Sequence, residues 1–257
     1  MCILFIAVKQ HPRYPLIIAA NRDEFHARPT DPMHWWPTKS MLAGKDLQAN
    51  GTWLSFSKSG RLAGLTNYRQ LPLKEGNFVS RGELPLLALC ASDRDLKNFL
   101  QAKSENYQGF NLLFGDQNTL TCFDSVRQKF TPLSSGFHSI CNGALDDVWP
   151  KMAKGEQALE HYIKDHHTVT HDALLSLLQD TQQAPDELLP DTGIGLAWEK
   201  TLSAIMIQGE EYGTRSSCIY TLSSAGRAEV TEVTYSPQGD MVNREEFSWK
   251  IESKSSF

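Results

Sequence analysis

Residues 1–24 read Met1-Cys2-Ile3-Leu4-Phe5-Ile6-Ala7-Val8-Lys9-Gln10-His11-Pro12-Arg13-Tyr14-Pro15-Leu16-Ile17-Ile18-Ala19-Ala20-Asn21-Arg22-Asp23-Glu24. Two continuous apolar runs, 2–8 and 15–20, flank a turn at His11-Pro12-Arg13. This pattern predicts a hairpin of two largely buried strands. In such a hairpin the start of the first strand lies beside the end of the second, so Cys2 is expected close to Asn21. The three ionisable residues that follow are costly next to a buried strand unless exposed or paired. They read either as a solvated turn or as a site beside Cys2.

Working outward, 53–56 and 62–66 flank Ser57-Lys58-Ser59-Gly60 as a second hairpin. A third is expected from 110–114 and 119–123, and a fourth from 215–222 and 228–235. Helices are predicted at 81–89, at 93–102 with Ser92 or Asp93 as cap, at 149–163, at 171–178 and at 198–206. The stretch 181–196 reads as a long ordered loop, and the polar tail from Ser236 offers one strand candidate at 247–251. Trp35-Trp36-Pro37 suits either core or a pocket wall. Hairpins at both ends with helices between them indicate an α+β fold rather than a βαβ series. With no repeat and no linker, residues 1–257 are expected to form one domain.

The chain has 257 residues, with 25 basic and 30 acidic side chains, so its formal charge is 25 − 30 = −5. That balance gives no footprint for nucleic acid or an anionic membrane. A hydrophobic content of 40% is enough for a real core. No apolar run approaches the length of a membrane span, and the opening run lacks the basic flank and cleavage site of a signal peptide. Five cysteines without a CxxC pair predict neither a disulfide framework nor a cysteine zinc site, but a reduced, cytoplasmic protein. His166, His167 and His171 lie on a polar helical stretch without accompanying carboxylates, which predicts a solvated face and no metal.

Chemistry concentrates at the amino terminus. With Met1 removed, Cys2 carries both a thiol and the free α-amine, whose ordinary pKa of about 7.7–8.0 leaves a neutral fraction able to accept the thiol proton. One residue then supplies nucleophile and base. Arg22 is placed to keep the sulfur electropositive and Asp23 to orient the amine. Asn67, ending 64–67, and Asn142, preceding Gly143, are either turn formers or donors to a developing oxyanion. Arg215 offers a second guanidinium or a surface ion pair. Two guanidiniums beside one thiol are expected to lower its pKa below about 8.5.

Together, Met1-Cys2, Asn21-Arg22-Asp23-Glu24, Asn50-Gly51-Thr52-Trp53, Gly64-Leu65-Thr66-Asn67-Tyr68-Arg69, Leu189-Pro190-Asp191-Thr192-Gly193 and Tyr212-Gly213-Thr214-Arg215-Ser216-Ser217 resemble the NRDE family. That family includes the eukaryotic transport and Golgi organisation protein two. It is similar in turn to the N-terminal-nucleophile hydrolases, such as bile salt hydrolase and penicillin V acylase. The resemblance implies a four-layer αββα sandwich and cleavage of a non-peptide C–N bond in a small amide or acyl substrate, with no cofactor. It also implies roles for particular residues. Cys2 matches the nucleophile, Arg22 and Asp23 the polar pair beside it, and Asn67 an oxyanion-side asparagine. Asn142 matches the asparagine contacting the free amine, and Arg215 the late arginine near the nucleophile. In the acylases two residues separate the Arg and Asp, whereas Arg22 and Asp23 are adjacent and alternate across a strand. Both reach Cys2 only if the strand has ended or bulged, and Asn21 or Glu24 is an alternative for one of the roles. The second reading that the resemblance carries is a non-catalytic protein handling haem or lipid on the same scaffold.

Overall fold

Neither opening run has a polar face to show to water, and each becomes an interior strand. In the computed structural model, which describes residues 2–37, 40–69, 71 and 75–252, β1 (Cys2–Val8) is buried at every position. β2 (Leu16–Phe25) is buried through Asp23. They pair antiparallel, with Cys2 opposite Arg22 and Val8 opposite Leu16.

The chain then builds a seven-stranded antiparallel meander in sequence order. Its strands are β3 (Thr30–Trp36), β4 (Met41–Asp46), β5 (Leu54–Ser57), β6 (Leu62–Asn67), β7 (Phe110–Gly115), β8 (Thr121–Asp124) and β9 (Lys129–Pro132). It returns to the first sheet with β10 (Gly136–Ile140), β11 (Tyr212–Leu222), β12 (Arg227–Tyr235) and β13 (Met241–Lys250). That sheet has the order β10-β1-β2-β11-β12-β13, so the first strand is flanked on both sides.

Side-chain alternation sorts the core into three slabs. Cys2, Leu4, Ile6 and Val8 face the second sheet and join Leu54, Phe56 and Leu113 there. The Phe56 and Tyr220 rings stack between the sheets at 4.7 Å. Ile3, Phe5 and Ala7 face outward against α3 (Pro150–Asp165) and α4 (His171–Leu178). On the far side, Ala63, Leu65 and Phe110 pack against α1 (Leu84–Cys90) and α2 (Asp93–Lys103). The arrangement is the expected α+β four-layer αββα sandwich. A Cβ on Gly155 of α3 would come within 2.1 Å of the Phe5 ring, so only glycine lets this helix seat on the sheet.

Some elements depart from the sequence reading. β3, β4, β9 and β10 are not among the strands that the sequence predicts; in β3 only Met33 is fully buried, so no period-2 pattern announces it. β13 runs over the whole of 241–250 rather than 247–251. It is an edge strand exposing every other residue, and only Phe247 and Trp249 pack on the inter-sheet core. α5 (Leu196–Thr201) ends before the predicted 206, and the Met206 N–H bonds the carbonyl of Asp180 instead.

Candidate active site

Cys2 and Arg22 face each other across the β1–β2 ladder, and both side chains point between the sheets. There they help line a cavity of about 520 Å³, within the usual range for small-molecule sites. The second sheet contributes Trp53, Leu65 and Asn67, and the segment before α1 contributes Arg81.

Burial pushes the Cys2 thiol up to about 11, and the opposing pulls of the amino-terminal charge and, more weakly, of Arg22 do not overcome it. Asp23 and Glu24 push in the same direction as burial. This corrects the expectation of a thiol below its ordinary value. Removing a small anion from water outweighs the two neighbouring positive charges. The Met1 that maturation would remove lies outside the described residues.

The adjacency of Arg22 and Asp23 is resolved without ending β2, which continues to Phe25. Arg22 takes the cavity face, with Nη2 at 3.8 Å from both Glu24 Oε2 and Asp46 Oδ2. Asp23 is almost fully buried, and its Oδ1 accepts from Thr214 Oγ1 at 2.7 Å. Burial raises its pKa, against the attraction of Lys151 at the start of α3. The bulge lies on the partner strand: Thr214 opposes Asp23 and Ser216 opposes Arg22, leaving Arg215 as the extra residue. Arg215 lines the cavity, but its Nη1 donates to the carbonyls of Phe25, His26 and Arg28 at 3.0, 3.1 and 3.1 Å. It thereby clamps the turn that follows β2. Asn21 faces the helices instead, donating to the carbonyls of Leu178 and Ile205 and accepting from Ser217. Of the two alternatives, Glu24 lines the cavity and Asn21 does not.

The two asparagines divide. Asn67 ends β6 at the cavity wall. Asn142 is fully buried behind it and lies outside the cavity lining. Its Nδ2 donates to the Asn67 carbonyl at 2.8 Å and its own carbonyl accepts from the Arg69 N–H. Arg69 Nη2 lies 3.3 Å from Glu199 Oε2 on α5, and Glu199 Oε1 accepts from both the N–H and the hydroxyl of Thr192. The motifs 64–69 and 189–193 thus converge on one buried carboxylate that supports the Asn67 segment.

Two cavity residues were missed. Arg81 is brought in by a backbone contact: a Cβ on Gly51 would sit 2.4 Å from the carbonyl carbon of Gly82, so glycine there lets the segment close over Trp53. Gly51 belongs to the motif 50–53, but nothing in the sequence links it to residue 82. Glu232 on β12 lines the other end, and a lone glutamate in an alternating strand carries no signal. His171 also differs from expectation. It is half-buried, its ring nitrogens bridging the Thr231 and Thr221 hydroxyls at 2.7 and 2.9 Å. Among the described residues no group of three or more His, Cys, Asp or Glu is placed to hold a metal ion, and no helix is long and apolar enough to cross a membrane.

A cysteine opening a central strand, at a cavity between two sheets with helices outside them, has the layout that the family resemblance implied. The chain belongs to the Transport and Golgi organisation 2 family, whose sequence profile matches residues 1–237. It is 32% identical to the mouse Transport and Golgi organization 2 homolog over 256 residues, covering 90% of this chain and 92% of that protein. The human homolog gives the same identity and coverage. The Drosophila protein is 24% identical over 260 residues, covering 91% of this chain and 92% of the relative. Similar solved structures include a mutant conjugated bile acid hydrolase from Clostridium perfringens, at 7% identity and TM-score 0.48 over 98% of each chain. Another is the Caenorhabditis elegans ortholog of N-acylethanolamine-hydrolyzing acid amidase, at 10% identity and TM-score 0.41, covering 85% of this chain and 92% of that one.

Proposed function

We propose that this protein is an N-terminal cysteine hydrolase that cleaves the amide C–N bond of a small acyl substrate through an acyl-Cys2 intermediate. The observation that carries this reading is Cys2 at the open end of β1, facing the cavity with Arg22 directly opposite. In the chain that begins at Cys2, the α-amine takes the thiol proton as sulfur attacks the carbonyl carbon. Asn67 donates to the oxyanion that forms. Collapse breaks the C–N bond, and the α-ammonium returns its proton to the departing amine. Water then attacks the thioester, losing its proton to the α-amine, and the free acid leaves as the thiol is restored. Asp23 orients the amine, while Asn142 and the Arg69–Glu199 pair hold the Asn67 segment. No cofactor enters these steps. The five free thiols suit a reducing cytoplasmic setting.

Intact-mass spectrometry after incubation with a panel of amides tests the reading. Protein from the native host should begin at Cys2 and gain one acyl mass, absent in Cys2→Ala. Retained Met1, or turnover unchanged by Cys2→Ala, would overturn it.

A further inference from the structure

Glu232 is a buried carboxylate to which the proposed reaction assigns no task. Its residue is 3% exposed, facing the space between the sheets from β12. Oε2 accepts the Met33 N–H at 2.6 Å. Among the described residues Oε1 has no hydrogen-bond partner and the carboxylate has no ion pair. Gly44 lies beside Oε1, where a Cβ would stand at an ordinary contact distance of 3.6 Å. Both Gly44 and Glu232 line the cavity that also holds Cys2.

The register locates this carboxylate relative to the nucleophile. Cys2 opposes Arg22, Arg22 opposes Ser216, and Ser216 opposes Thr234, with Glu232 two residues along the same face of β12. Three inter-strand steps of about 4.8 Å and one two-residue step of about 6.7 Å put the Cys2 and Glu232 Cα positions roughly 16 Å apart. Glu232 therefore cannot act on a carbonyl held at Cys2, but it can meet the far end of a molecule that reaches there. The nearest cation along this path, Arg22, is shared between Glu24 and Asp46, so the charge of Glu232 is left largely unanswered. A buried carboxylate is costly unless paired, and an arriving cation relieves that cost.

We propose that Glu232 forms a cation-recognition subsite at the distal end of the cavity, taking a protonated amine carried at the far end of a substrate whose scissile carbonyl rests against Cys2. The subsite deepens the hydrolase reading and rests on it only for the orientation of the substrate. Burial pushes the Glu232 carboxyl up to about 7, so the carboxylate gains its charge over the same range in which an amine remains protonated. The groups facing it are Arg22 from β2, the Met33 N–H from β3, Cys218 from β11 and Glu245 from β13, with the Gly44 backbone from β4. No histidine is among the cavity-lining residues.

Two chloroacetamides of equal length test this, one bearing an ω-aminodecyl chain and the other an ω-methoxydecyl chain without a donor. Each alkylates Cys2 by displacement of chloride, the thiol proton passing to solvent. At pH 8 the amino probe should saturate at about tenfold lower concentration. In Glu232→Gln that preference should fall below twofold while the maximal alkylation rate stays the same. Calorimetry with the matching unreactive acetamides repeats the comparison without chemistry at Cys2. In the parent protein the amine preference should grow several-fold from pH 6 to pH 8, a readout that requires no variant to fold. Saturable alkylation without an amine preference, or a preference that persists in Glu232→Gln, would overturn the subsite. An amine preference by calorimetry with no saturable alkylation of Cys2 would instead support the subsite and count against the hydrolase reading.

Discussion

Cys2 and Arg22 are direct cross-strand partners, twenty positions apart in sequence and neighbours at the cavity end of the β1–β2 ladder. The pairing sets the guanidinium against the thiol, yet the thiol remains above its ordinary pKa because burial dominates. On the proposed hydrolase reading, the free α-amine of a chain that begins at Cys2 supplies the activation that this arrangement lacks.

Alkylation of Cys2 by iodoacetamide should reflect this in protein that retains Met1. With the thiol near 11, the thiolate at pH 7 is about two orders of magnitude scarcer than for an ordinary cysteine. The rate should rise about tenfold per pH unit between pH 7 and 10. A plateau below pH 9 would show that burial does not control the thiol.

Arg22→Ala should slow that alkylation by several-fold, since it removes one of the two attractions that partly offset burial. Arg215→Ala should change it by less than twofold. The Arg215 guanidinium is spent on three carbonyls of the turn after β2, and its loss should appear as lower thermal stability. Equal slowing by the two variants would contradict the division of roles.

The ion pair between Arg69 and Glu199 has both side chains nearly inaccessible. Glu199→Ala leaves a buried guanidinium without its partner and should cost about 3–5 kcal/mol in urea unfolding. Glu199→Gln keeps an acceptor for Thr192 and should cost less. If the two variants are equally destabilised, the charge is not what matters.

Gly51→Ala should destabilise the fold by about 1–3 kcal/mol, the usual range for overpacking, because its Cβ meets backbone and not a movable side chain. The separation it forces displaces Arg81 from the cavity. Wild-type stability in this variant would show that the segments part freely.

Glu232 gives a pH dependence of stability with a definite sign. Its folded pKa, about 7, lies above the ordinary 4.5, so between those values the folded state holds a proton that the unfolded state has lost. Stability from this group is full below pH 4.5 and declines as pH rises to 7. The total is on the order of 3 kcal/mol. Glu232→Gln removes the decline, so its gain in melting temperature should be larger at pH 8 than at pH 5. An equal change at both pH values would rule out a buried titrating carboxylate.

The amino-acid sequence determined the elements whose burial is complete. The runs 2–8 and 15–20 have no polar face, so they had to be interior strands, and their turn brought Cys2 to the end of β2. Leu174, Leu175 and Leu178 likewise fixed the helical face of α4. Local pattern carried little for β3 and β13, which are edge strands with mixed exposure. Their pairing partners, not their own side-chain period, make them strands. At the site, the sequence supplied Cys2, Arg22, Asp23, Asn67 and Arg215 as a set around one cavity. Only the tertiary structure decided that Asn142 stands behind Asn67, that the bulge falls on β11 rather than β2, and that Arg81 and Glu232 complete the lining. The reason is physical. Strand burial is written into consecutive residues, whereas a cavity wall is assembled from segments as far apart as Cys2 and Glu232, held by contacts such as Gly51 on Gly82 that leave no trace in either segment alone.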